Sequence, residues 1–148
     1  MVYYPRQVDH GYSYHDRNML DRSVKIEVGI DYEPPRKWPL WFHDQKTFDD
    51  PDKAPISRGL RDRFWKITEF FVSQTEWCEV ESKYFFTSKI GFEEFNRITY
   101  SASTDLIMEL GAAFKVYPTF AILDATGHVV FISNHMNFNP ETSWIAHD

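Results

Sequence analysis

The run FKVYPTFAILDATGHVVF, Phe114 to Phe131, decides the fold. It reads as an apolar strand over Phe114–Leu123, a turn Asp124-Ala125-Thr126-Gly127, and a second strand over His128–Ser133. Gly127 supplies the positive φ that a four-residue hairpin connection wants. A lone hairpin is marginal in water, so this one needs further strands or a helix to cover it. SVKIEVGIDY (Ser23–Tyr32) offers such a strand, with Val24, Ile26, Val28, Ile30 and Tyr32 on one face and Lys25, Glu27, Gly29 and Asp31 on the other.

Helices lie between these strands. Ser57 reads as an N-cap, after which Leu60, Phe64, Ile67 and Phe71 recur at steps of four, three and four as one apolar stripe. A second helix runs from about Phe92 to Leu110 with Phe92, Phe95, Ile98, Ala102, Leu106 and Leu110 in register, and Gly111 stops it. Thr99, Ser101, Ser103 and Thr104 are poor interior helix residues, so Ser103 stands as a possible cap of a separate shorter helix. Glu33–Ser57 carries five prolines and reads as a long loop pinned by Trp38, Leu40, Trp41 and Phe42. Gln74–Gly91 shows no clear period and reads as a loop with a short helical turn around Trp77. Met1–Arg22 is polar and Tyr-rich and reads as an N-terminal arm, either packed over the domain by its tyrosines or partly loose.

The expectation is therefore a single α+β domain over 1–148, a small, mostly antiparallel sheet (Val24–Tyr32, Phe114–Leu123, His128–Ser133) packed on two helices. Its predicted core is Ile26, Val28, Ile30, Leu60, Phe64, Ile67, Phe71, Leu106, Leu110, Val116, Phe120, Ile122, Val129 and Phe131.

Composition limits function more than it defines it. The net charge of −6 repels a phosphate backbone, which argues against nucleic-acid partners and suits a basic one. Cys78 is the sole cysteine, so neither a disulfide within the chain nor a cysteine-built metal site is expected, which fits a reducing compartment. No apolar run reaches the roughly 20 residues of a membrane helix, and MVYYPRQVDH has no apolar signal core. These features lead to an expectation of a cytoplasmic protein.

No catalytic motif emerges. The six histidines, His10, His15, His43, His128, His135 and His147, are scattered with no ligand spacing, and the six glycines do not cluster into a phosphate loop. The expectation is no catalytic residue, metal or cofactor. Two stretches mix carboxylates with large rings: Trp38, Trp41, Asp44, Asp49, Asp50 and Asp52, then Glu76, Trp77, Glu79 and Glu81, with Glu93 and Glu94 further on. Rings that anchor and charges that steer are what an interface for a basic protein partner uses. These twelve residues are the candidate partner-binding set.

Two resemblances add to this. The Pro-Thr entering an apolar strand, with Trp77-Cys78 upstream, resembles the C-terminal part of a thioredoxin. That likeness implies a thiol at the start of a helix, but Glu81 stands where the family has its second cysteine, so only single-thiol chemistry at Cys78 would remain. The layout of a strand, Pro39-Leu40-Trp41, an acidic stretch, the Ile56-Ser57-capped helix and a helix entering a strand resembles small acidic immunity proteins of bacterial contact-dependent or polymorphic toxin systems. It implies a chain that neutralises a cognate toxin by binding it, with no catalytic residues of its own.

Overall fold

The computed structural model describes residues 25–30, 38–42, 56–111, 115–134 and 144–147. Met1–Arg22, Val24, Tyr32, Phe114 and the Asp44–Asp52 stretch lie outside the described residues.

Strand β1 (Lys25–Val28) starts the described chain and keeps the alternation read from sequence, with Ile26 and Val28 fully buried. Within the stretch read as a continuous proline-rich loop, Leu40–Phe42 forms a short strand β2, antiparallel to β1. Its three residues fall between prolines, where the local periodicity is too brief to register. Helix α1 (Arg58–Gln74) starts at Ser57, whose Oγ accepts from the Leu60 amide at 3.3 Å, and it buries Leu60, Phe64, Ile67 and Phe71 as one stripe.

The chain then departs from the expected loop. Thr75–Cys78 (β3) and Lys83–Phe86 (β4) form an antiparallel hairpin. No glycine ends α1. Instead Thr75 turns to extended backbone and its hydroxyl donates to the Phe71 carbonyl at 2.7 Å. At the hairpin base the Thr87 amide donates to the Gln74 carbonyl at 3.0 Å. The tip, Glu79–Ser82, lacks the Gly, Asn or Pro that marks a turn, and Ser82 itself takes the left-handed conformation at φ 53°.

Helix α2 (Lys89–Leu110) opens one turn before the expected start, because Ser88 is its cap and accepts from the Gly91 amide at 3.0 Å. It is not split at Ser103. The Ser103 and Thr104 hydroxyls donate back to the carbonyls of Thr99 and Tyr100, which occupies them inside a continuous helix. Gly111 ends it at φ 117°.

Strands β5 (Lys115–Leu123) and β6 (Val129–Ser133) form the expected hairpin. The main sheet has the order β2-β1-β5-β6, in which β1–β2 and β5–β6 are antiparallel and β1–β5 is parallel. The fold is thus α+β with a small, mostly antiparallel sheet on two helices. Pairing with β1 stops at Pro118, which has no N–H to offer. Beyond it Asn96 of α2 takes the place of a strand: its Nδ2 donates to the Ala121 carbonyl at 2.9 Å and its Oδ1 accepts from the Ala121 amide at 2.8 Å.

Twelve of the fourteen predicted core residues are buried; Ile122 and Phe131 are half-buried. Sequence reading omitted Trp38, Ile56 and Phe86 from the core; their exposures are 3%, 0% and 2%. Phe64→Ala should cost about 3–5 kcal/mol in urea unfolding, and a loss below about 1 kcal/mol would remove it from the core. Asn96→Ala should cost about 1–3 kcal/mol, because it orphans both polar groups of Ala121.

Candidate functional site

Hairpin β3–β4 has two differently occupied faces. Trp77, Tyr84 and Phe86 form part of the ring cluster: Trp77 sits edge-on to Tyr84 at 4.8 Å, and Tyr84 and Phe86 pack against Phe71 at 5.1 and 5.6 Å. Cys78, Lys83 and Phe85 face the β5–β6 turn and the 144–147 segment, where Lys83 meets Asp124 and Phe85 meets His147.

That turn is built by Asp124. Its Oδ1 accepts from the Thr126 amide (2.9 Å), the Thr126 hydroxyl (2.8 Å) and the His128 amide (2.9 Å), while Lys83 Nζ lies 3.4 Å from Oδ2. Burial alone would push the Asp124 carboxyl up. The hydrogen bonds from Thr126, His128 and Lys83 outweigh it and hold the group down at about 2. Gly127, at φ 84°, lets the 144–147 segment run close alongside: a Cβ there would stand 2.9 Å from both the Ile145 carbonyl oxygen and the His147 nitrogen. Trp144 packs on Phe92 at 6.1 Å, and His147 stacks on Phe85 at 3.8 Å with the rings 9° apart.

Three side chains distant in sequence therefore converge. Cys78, His128 and His147 place one sulfur or nitrogen each within 4.8 Å of one another, and the two imidazole Nε2 atoms are 3.0 Å apart. His128 is buried at 4% exposure, whereas Cys78 and His147 are half-buried. The tautomer of His128 follows from its neighbours. Thr126 has one hydroxyl proton and gives it to the ionised Asp124, so its oxygen accepts from His128 Nδ1–H across 2.7 Å. In the neutral imidazole this leaves the lone pair on Nε2, which faces His147 Nε2.

The candidate partner-binding residues fall differently. Asp44, Asp49, Asp50 and Asp52 lie outside the described residues. Trp38 is a core ring, edge-on to Phe64 at 6.1 Å, which takes it out of any contact surface of the described fold. Trp41 is half-buried and donates its Nε1 to the Gly29 carbonyl at 3.1 Å. Glu76, Glu79, Glu81 and Glu93 are exposed, Trp77 is half-buried, and Glu94 is held by Arg97 at 2.5 Å. The groove between the helices, about 250 Å³, is lined by Arg63, Lys66 and Arg97; Arg63 pairs with Asp105 and Arg97 with Glu94.

Cys78 ends a strand opposite Lys83 and does not open a helix, so the thiol environment expected from the thioredoxin resemblance is not built here. Sequence spacing does not link His128 to His147, because 19 residues separate them and neither has a neighbouring ligand in sequence. The Asp124-x-Thr126-x-His128 spacing is the legible signal, an Asx turn that closes on a histidine. No match to this chain is found among protein-family models, curated proteins or solved structures. Among the described residues no helix is long and apolar enough to cross a membrane.

The low carboxyl of Asp124 gives a pH signature. A depressed carboxylate stabilises the fold above its unfolded value near 4, and that contribution fades as pH falls through about 2. Asp124→Asn should lower stability by on the order of 1 kcal/mol near neutrality after solvent screening, with the gap from wild type closing between pH about 4 and about 2. Denaturant midpoints of both proteins across that range would check it.

Proposed function

We propose that this chain is a cytoplasmic binding protein for a basic polypeptide, in the terms of the sequence resemblance a toxin whose surface it covers. The observation that carries the reading is the β3–β4 tip. Glu79 and Glu81 are exposed on either side of Val80, which is 88% exposed, and Glu76 follows on β3. An apolar side chain framed by carboxylates suits a partner that sets Lys or Arg around a small hydrophobic hollow. The hairpin behind the tip is already ordered by its packing, which keeps the entropic cost of docking low. The net charge of −6 attracts the same partner over longer range.

Immobilised full-length protein should retain, from lysate of its native host at moderate salt, a basic polypeptide that high salt releases. Against that polypeptide, a combined Glu76→Gln, Glu79→Gln and Glu81→Gln variant should associate about tenfold more slowly at low salt, with dissociation little changed. Retention of nothing, or an unchanged association rate in the variant, would remove this reading.

A further inference from the structure

We infer that Cys78, His128 and His147 form a binding site for a divalent transition-metal ion of the zinc class. One thiol sulfur and two imidazole nitrogens are borderline-soft donors, the set that Zn²⁺ takes, and the absence of a carboxylate among them disfavours Mg²⁺ and Ca²⁺.

The geometry is close to that of a loaded site. Tetrahedral Zn²⁺ with bonds of about 2.0–2.1 Å to nitrogen and about 2.3 Å to sulfur sets its nitrogens roughly 3.3 Å apart and each about 3.6 Å from the sulfur. The two Nε2 atoms stand 3.0 Å apart, and no pair among the three donors exceeds 4.8 Å. Shifts of about 1 Å, within the reach of half-buried side chains such as Cys78 and His147, complete it.

The surroundings orient the donors as ligands. A metal-bound histidine keeps its other ring N–H on an acceptor, and His128 does so: Nδ1–H to Thr126 Oγ1 at 2.7 Å, Thr126 to Asp124 at 2.8 Å. Its Nε2 lone pair is buried and has His147 Nε2 opposite. Only one shared proton can bridge two such nitrogens, whereas a cation between them satisfies both lone pairs. Phe85 fixes the ring plane of His147 by stacking. Lys83 and Asp124 offset one another at 3.4 Å, so this ion pair sets no net positive charge against the ion. On binding, Cys78 releases its proton to solvent and coordinates as thiolate. Three protein ligands leave a fourth position for water on the side where Cys78 and His147 are half-exposed.

Such an ion would join hairpin β3–β4, the β5–β6 turn and the 144–147 segment. The inference stands apart from the proposed partner, since none of its ligands belongs to the acidic tip.

Co²⁺ titration of full-length protein carrying no histidine tag is the test. Wild type should take up one equivalent, with the visible bands of tetrahedral Co²⁺ and a thiolate-to-Co²⁺ charge-transfer band in the near ultraviolet. Cys78→Ser should abolish the charge-transfer band. His147→Ala should weaken binding about 10- to 100-fold, Thr126→Val by about tenfold, and Thr126→Ser should restore most of the Thr126→Val loss. Circular dichroism of each variant in the absence of metal should match wild type, and His147, half-exposed where His128 is buried, is the histidine whose replacement disturbs packing less. Absence of the charge-transfer band in wild type, or Co²⁺ binding that His147→Ala leaves unchanged, would overturn the site.

Discussion

Phe71 holds this fold together. Its ring lies between 5.1 and 5.7 Å from those of Tyr84, Phe95, Phe86 and Phe131, so one side chain near the end of α1 touches β4, α2 and β6 at once. Aromatic pairs contribute about 0.5–1.5 kcal/mol beyond the area they bury, and four meeting on one ring make the position of the hairpin a property of the core. Among the described residues the hairpin has no hydrogen-bonded neighbour in the main sheet, whose described strands are β2, β1, β5 and β6. The rings of Tyr84 and Phe86 fix it to the core, and Lys83 and Phe85 tie its other face to Asp124 and His147.

What the hairpin brings with it is chemistry. A strand has two faces, so turning Trp77, Tyr84 and Phe86 towards the ring cluster obliges Cys78, Lys83 and Phe85 to point the other way, towards the Asp124 turn. There the turn has already committed its own polar groups. Asp124 spends Oδ1 on Thr126 and His128, Thr126 spends its proton on Asp124, and the histidine is left with a defined tautomer and a buried lone pair. Gly127 then admits the chain end closely enough for His147 to reach the same spot. Order in one place follows from packing in another, with no residue of the cluster adjacent in sequence to the next.

The legible parts of the fold were those with a long period. The stripe Leu60–Phe64–Ile67–Phe71, the cap at Ser57, the stop at Gly111 and the hairpin through Gly127 are all local signals, and each corresponds to an observed element. The β3–β4 hairpin was not legible. Its strands are four residues each, rings stand on both faces so that no apolar–polar alternation appears, and the turn relies on Ser82 where a glycine would have announced it. Missing that hairpin meant missing the site, because Cys78 meets the histidines only once β3 is folded back over the turn. The ring-rich composition, in turn, went largely inward: Trp38, read as a surface anchor, packs against Phe64 and Trp65. The acidic tip was visible in sequence as carboxylates, though its shape was not.

The central claim is that packing around Phe71 delivers Cys78 to His128 and His147. A nuclear Overhauser spectrum of the full-length protein with its aromatic rings and cysteine assigned measures this directly. The account predicts cross-peaks from the Phe71 ring to those of Tyr84, Phe86, Phe95 and Phe131, together with cross-peaks from the Cys78 β-protons to an imidazole proton of His128 or His147. Ring contacts present with Cys78 silent towards both histidines, or Phe71 without contact to the hairpin, would contradict it.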